Sequence, residues 1–190
     1  MARSVSYSTR AIVLRTRLLG EKDRIMTLLS PHEGRFSAVA KGARSPKSKL
    51  AAVSQPFMDA RFLLSRGRNL DIATQAEIER APTHITGDLA RTAWATYLCE
   101  LCDAVPERQP DEALFDLLSA ALKHLDHAPA TNTSATNAAA TNAAATNAGI
   151  VDGIDDLAQG QSDRDTVENV GFWFEARFLA ALGYAPTVGR

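Results

Sequence analysis

The run Lys41-Gly42-Ala43-Arg44-Ser45-Pro46-Lys47-Ser48-Lys49 puts four cations within nine residues. Long cationic side chains on a loop, with a glycine that lets backbone approach closely, suit the gripping of a phosphate backbone. The same run would also serve as a solubilising surface loop, so the placing of the other cations matters. Arg10, Arg15, Arg17, Arg24, Arg35, Arg66 and Arg68 fall on or beside predicted strands, where charge has fewer innocent reasons to gather. The candidate nucleic-acid contacts are therefore Arg10, Arg15, Arg24, Arg35, Lys41, Arg44, Lys47, Lys49, Arg66 and Arg68. Tyr7, Phe36, Phe57 and Phe62 could stack on bases or fill a core. Charge along the chain points the same way. Residues 1–80 carry 15 of the 21 Lys and Arg and 7 of the 22 Asp and Glu, a balance of +8 that leaves −9 for residues 81–190. A surface for polyanions is thus expected before residue 80.

Other chemistries find less support. Cys99 and Cys102 have Cys-x-x-Cys spacing, but zinc needs four ligands and the chain has no other cysteine, so buried helical thiols are expected. His124 and His127 stand one helical turn apart without a third spaced ligand and should face solvent. Glu77 and Glu79 share a strand face near its end, which fits a solvated edge better than acid–base work. There is no glycine-rich phosphate loop ending in Lys-Ser or Lys-Thr, no Gly-x-Ser-x-Gly elbow and no His-Glu-x-x-His pair. The expectation is a non-enzymatic protein with no catalytic residues, no metal and no cofactor in this chain.

The elements that would position the cations follow from periodicity. Between Tyr7 and Ile78 the pattern alternates: Thr9, Ala11 and Val13 against Arg10, Ile12 and Leu14; Ile25, Thr27 and Leu29 against Met26 and Leu28; Phe36, Ala38 and Ala40 against Arg35, Ser37 and Val39. A fourth strand is predicted over Phe57 to Ser65, with Met58, Ala60, Phe62 and Leu64 on one face. A fifth is predicted over Leu70 to Ile78, with Leu70, Ile72, Thr74, Ala76 and Ile78 together. The segment from Gly42 to Pro56 reads as a connection. Five short antiparallel strands in so few residues suggest a closed barrel of the OB-fold kind, with an SH3-like barrel as the rival.

After Pro82 the period becomes helical. Trp94, Tyr97, Leu98, Leu101 and Val105 form one stripe and Leu114, Leu117, Leu118, Ala121, Leu122 and Leu125 a second. A third helix over Asp165 to Leu182 should end at Gly183, with Pro186 beyond it. Ala-Thr-Asn recurs at 130–132, 135–137, 140–142 and 145–147, with no large apolar residue to bury, so a disordered insertion is expected at about 129–163. The fold class is α+β, in two domains: 1–81 a five-stranded OB-fold β-barrel that binds nucleic acid, and 82–190 a helical bundle interrupted by the insertion. With 45% hydrophobic and 23% charged residues, and a first apolar run that ends at Arg15, a cytoplasmic chain without membrane contact is expected.

Several of these segments resemble the opening of the RecO family of DNA repair proteins. They are Tyr7-Ser8-Thr9-Arg10-Ala11-Ile12-Val13-Leu14-Arg15, Leu19-Gly20-Glu21-Lys22-Asp23-Arg24-Ile25, Gly34-Arg35 and Ala38-Val39-Ala40-Lys41-Gly42-Ala43-Arg44. The similarity continues through Gln55-Pro56-Phe57, Gly67-Arg68-Asn69-Leu70, Thr74-Gln75-Ala76-Glu77 and Tyr97-Leu98-Cys99-Glu100-Leu101, and resumes at Phe172 to Pro186. The resemblance implies an OB-fold followed by a helical domain, binding to single- and double-stranded DNA, and annealing of complementary strands. It also implies partners: RecR, single-strand binding protein and, indirectly, RecA, in a bacterial cytoplasm with nucleoid association during repair. Many members of that family place paired cysteines for zinc just after the segment corresponding to Leu182-Gly183-Tyr184-Ala185-Pro186. A zinc site is expected only in a C-terminal part that this chain, ending at Arg190, lacks. Two rival functions are a generic single-strand-binding OB module without annealing and a protein-interaction adaptor whose basic face meets an acidic tail.

Overall fold

A computed structural model of the chain describes residues 5–127 and 167–182. Its strands are β1 (Ser6–Leu19), β2 (Asp23–Ser30), β3 (Gly34–Ala40), β4 (Asp59–Ser65) and β5 (Asp71–Arg80). Its helices are α1 (Lys49–Val53), α2 (Leu89–Asp103), α3 (Glu112–His127) and α4 (Val167–Ala181), with a 3-10 turn at Ile85–Gly87. The expected insertion at about 129–163, the Gly183 cap and Pro186 lie outside the described residues. None of the described helices is long and apolar enough to cross a membrane.

The strands close into a barrel in the order β1-β2-β3-β5-β4. β1 is long enough to serve two neighbours: Ser6 to Ile12 pair with β4, and Ile12 to Leu19 pair with β2. A bulge between Val13 and Arg15 accompanies the change of partner, as a barrel needs where a strand must bend. β2 with β3 and β4 with β5 are antiparallel as well, but β3 with β5 is parallel, so the all-antiparallel expectation is corrected at that one seam. β3 cannot be joined to a parallel neighbour by a tight hairpin. The chain instead leaves through the basic loop and α1 and lays down β4 before β5. α1 lies within the 42–56 stretch whose composition predicts only a connection; its signature is Ser48, whose Oγ accepts the Leu50 N–H and caps the first turn.

Two apolar clusters share β1. Ala11 and Val13 face the barrel interior with Met26, Leu28, Phe36 and Phe62. Ile12 and Leu14 face outward into a second core with Leu29, Phe57 and the buried faces of α2, α3 and α4. Residues 11–14 are consequently buried without a break, although an alternating strand with one solvated face would expose every second residue. The three helices pack pairwise on one another, and α2 also lies on β1.

Two predicted faces are corrected. In β5, Asp71 and Ala73 turn inward, while Ile72 is half-buried and Ile78 is 44% exposed. Irregular pairing with β4 at Leu63/Leu64 and Asp59/Ala60 breaks the period of two. In α2 the buried apolar residues are Ala95, Leu98, Cys99 and Cys102, rotated from the predicted stripe. Small side chains suit close contact with β1. Tyr97 is exposed, and Trp94 lies edge-on to Phe172 at 6.0 Å, over Gly171, where even a Cβ would strike its ring.

The chain passes from barrel to helices through a latch on Asp126 of α3. Its carboxylate accepts the amide N–H groups of Thr83, His84 and Ile85 and the Thr83 hydroxyl, at 2.7–3.2 Å. Burial opposes the charge, but these donors outweigh it and hold the carboxyl at about 2. Arg91 donates to the carbonyls of Leu125 and Asp126, closing the same corner from α2.

Candidate nucleic-acid interface

The basic loop is tied down along its length. β3 ends at Ala40, opposite Arg24. The chain then turns at Gly42, whose φ of +66° is costly for any residue with a side chain. The Gly42 N–H donates to Asp23 Oδ1 at 2.8 Å, the Arg44 N–H to the Lys22 carbonyl at 3.0 Å, and Arg44 Nη1 to the Gly20 carbonyl at 3.0 Å. Ser45 and Ser48 make tight turns onto Gly42 and Ser45 at 3.0 and 2.9 Å, and Ala43 is buried in the barrel core. The loop and the β1–β2 turn therefore form one unit. Lys41, Arg44, Lys47 and Lys49 are all exposed on it, with Lys22 beside them.

The sheet next to this unit carries a row set by register: Arg17 opposite Ile25, Ile25 opposite Val39, Val39 opposite Ile72. Adjacent strands lie about 4.8 Å apart, so the row is a continuous strip with an exposed cation at one end. Among the described residues, Arg17, Lys22, Lys41, Arg44, Lys47, Lys49 and Arg68 are exposed and make no ion pair. Arg68 stands apart from the loop, in the β4–β5 turn.

The other candidate cations on or beside the strands are engaged. Arg10 is bidentate to the buried Asp59, at 2.9 and 2.7 Å, and lies over the Phe115 ring. Arg15 and Arg35 share Asp103 at the C-terminal end of α2, at 2.9 and 3.2 Å. Arg35 also donates to the Val105 carbonyl and pairs with Glu107, and only 16% of its side chain is exposed. These two arginines clamp the barrel to the acidic helical half. Arg66 pairs with Glu33 and covers the Tyr7 ring at 4.4 Å. Arg24 turns across to Ser54 Oγ at 3.1 Å. The structure thus brings Lys41, Arg44, Lys47 and Lys49 together on one surface and directs Arg10, Arg15, Arg24, Arg35 and Arg66 to protein partners.

The aromatic candidates are also engaged. Phe36 and Phe62 fill the barrel, and Phe57 belongs to the core beneath the helices. The Tyr7 hydroxyl donates to Asp71; burial, then this acceptor, push its pKa to about 12. Asp71 itself is buried, which works against its charge, yet Arg108 and Tyr7 hold its carboxyl below the ordinary range. Sequence reasoning passed over Arg108, which enters at +58° φ on a loop far along the chain, and over Lys22 and Asp23 as members of the basic unit. The signals for the last two were their place in a turn between predicted strands and in a segment that carries the family resemblance. Cys99 and Cys102 are buried free thiols, and burial pushes Cys102 up to about 12. His124 and His127 are exposed.

Two family models match the chain: Recombination protein O N terminal over residues 1–82, and Recombination protein O C terminal over residues 86–142. The second runs into the Ala-Thr-Asn repeat and does not include 172–186, where the sequence similarity was expected to resume. The DNA repair protein RecO of Symbiobacterium thermophilum is 44% identical over 117 residues, which cover 61% of this chain and 46% of that protein. The RecO proteins of Bifidobacterium animalis subsp. lactis and Bacillus subtilis are 46% and 40% identical over 119 and 116 residues, covering 61% and 60% of this chain and 50% and 46% of theirs. The chain spans about half the length of the curated relatives it matches. With both halves of the family matched in order on a barrel followed by helices, this chain belongs to the RecO family of DNA repair and recombination proteins.

Proposed function

We propose that this chain is a non-enzymatic recombination mediator that binds single- and double-stranded DNA and anneals complementary strands. Residues 1–81 act as an OB-fold, which the strand order and the helix between β3 and β4 support, and 82–190 as a helical bundle docked on it. The observation that carries the reading is the partition of charge. Exposed cations without ion pairs gather on the β1–β2 turn and the 41–49 loop, while Arg10, Arg15, Arg35, Arg61 and Arg66 elsewhere on the barrel are paired with acids. Such a surface captures backbones by displacing counterions, and it lowers the repulsion between two strands brought close enough to pair. Burial of Phe36, Phe57 and Phe62 speaks against a grip made mainly by stacking. Backbone capture serves single and double strands alike.

RecR and single-strand binding protein are the proposed protein partners, with loading of RecA as the downstream consequence, in the bacterial cytoplasm and on the nucleoid during repair. No cofactor is assigned to this chain. The test is an annealing assay with two complementary labelled oligonucleotides. The protein should accelerate pairing at low salt and lose the effect as salt rises. Coating of strands without faster pairing would indicate a generic single-strand-binding module, and no salt-sensitive affinity for oligonucleotides would indicate an adaptor.

A further inference from the structure

The β1–β2 turn and the start of β2 carry two carboxylates, Glu21 and Asp23, beside Lys22 and Arg24, where simple electrostatics would keep neither. Asp23 lies between Lys22 and Arg24 and beside the 41–49 loop, where its charge works against any polyanion. No ion pair to Asp23 occurs among the described residues. Its partner is instead a backbone donor, the Gly42 N–H, 2.8 Å from Oδ1. Gly42 is where the basic loop leaves β3, in a left-handed conformation at φ +66°. An ideal Cβ there would meet nothing within 4 Å, so the glycine serves the backbone turn and not a close approach.

Three hydrogen bonds run from residues 42–44 to residues 20–23: Gly42 N–H to Asp23, Arg44 N–H to the Lys22 carbonyl, and Arg44 Nη1 to the Gly20 carbonyl. Two of the acceptors are backbone carbonyls that no substitution removes. Asp23 supplies the third, with an ionised acceptor, the stronger kind of hydrogen bond. It holds the loop at its first turn, so it fixes the direction in which Lys41 and Arg44 leave the sheet.

We infer that Asp23 is a positioning residue for the DNA backbone: its carboxylate docks the basic loop onto the β1–β2 turn, so that the cations of both segments present one surface to phosphates. The inference rests on the proposed DNA binding. It makes the counterintuitive prediction that removing this negative charge weakens the hold on a polyanion when the acceptor goes with it.

Two substitutions separate charge from position. Asp23→Asn removes the charge and keeps an oxygen that can accept the Gly42 N–H; Asp23→Ala removes both. Affinity for a single-stranded oligonucleotide is measured by fluorescence anisotropy across a salt series. Exchange protection of the Gly42 amide is measured by NMR without DNA, and Asp23→Ser, whose hydroxyl reaches less far, replaces the alanine variant if that does not fold. Asp23→Ala should lose Gly42 protection and bind about five-fold more weakly, the loss of one hydrogen bond's worth of order. Its salt slope should become shallower by about 0.7–1.4, as one or two phosphate contacts go. Asp23→Asn should keep protection and bind as tightly as the wild type or tighter. If the wild type binds and Asp23→Ala binds as tightly as Asp23→Asn with an unchanged slope, the positioning role is overturned while the proposed function stands. If the wild type shows no salt-dependent affinity, the proposed function fails and the inference with it.

Discussion

Replacing Lys41, Lys47 and Lys49 together by alanine removes exposed cations from the basic loop without touching the bonds that shape it, because Arg44, which braces the Gly20 carbonyl, stays in place. Each cation that neutralises a phosphate of single-stranded DNA contributes about −0.7 to the slope of log affinity against log salt, so three contacts are worth about 2.1. Between 50 and 200 mM salt the variant should therefore lose about 20-fold less affinity than the wild type. At low salt it should bind more weakly on every sequence, since phosphate contacts carry no base information. The assay is oligonucleotide anisotropy over a salt series, with annealing rates measured in parallel, and annealing should fall with affinity. Thermal stability is the control: exposed loop lysines contribute within about 0.5 kcal/mol, so the melting temperature should hold. A folded variant with the wild-type slope and annealing rate would make the loop a solubilising surface. The grip would then have to lie with Arg17, Lys22, Arg44 and Arg68.

Arg35→Ala should leave the salt slope unchanged, because that guanidinium already serves Asp103, Glu107 and the Val105 carbonyl, and should lower stability in urea by about 2–3 kcal/mol. Asp126 links stability to pH: its folded pKa of about 2 lies below the ordinary value of 3.8, so its contribution is complete above about pH 4 and fades as pH falls towards 2. That contribution is about 2 kcal/mol, and Asp126→Asn should flatten the acid limb of urea-derived stability against pH by that amount. Gly34→Ala should cost about 2 kcal/mol or more, since φ is +64° and a Cβ would fall 2.2 Å from the Gln109 carbonyl oxygen; an unchanged melting temperature would contradict the packing of the α2–α3 connection on β3.

The strands and the major helices were legible because alternation and helical spacing are local properties. Ala60, Phe62 and Leu64 share the barrel interior as their spacing predicts. The cations were legible as a set but not as a site. Whether an arginine is free depends on which acid lies opposite, and those acids are remote: Asp59 lies 49 residues from Arg10, and Asp103 lies 68 from Arg35. Single-residue periodicity carries no such pairing. Position on an outer strand face therefore favoured Arg15 and Arg35 for the very reason that lets α2 claim them. The face of β5 was misread for a related reason: Asp71 looks like a surface residue until Tyr7, Arg108 and the Gly67 N–H are seen to satisfy it inside. For the aromatic residues of the barrel the sequence favoured core over stacking, and Phe36, Phe57 and Phe62 are buried.

The double duty of β1 also bears on how the chain can be divided. Ile12 and Leu14 look out of the barrel into the helical core, and Leu29 and Phe57 look the same way. A fragment cut after residue 81 would keep every strand and every cation of the basic loop, yet it would carry an oily flank where the helices had been. Such a fragment would be prone to self-association, and its apparent avidity for DNA would mix clustering with binding. Experiments on the barrel alone should therefore replace that flank with polar residues, or keep α2 and α3 attached.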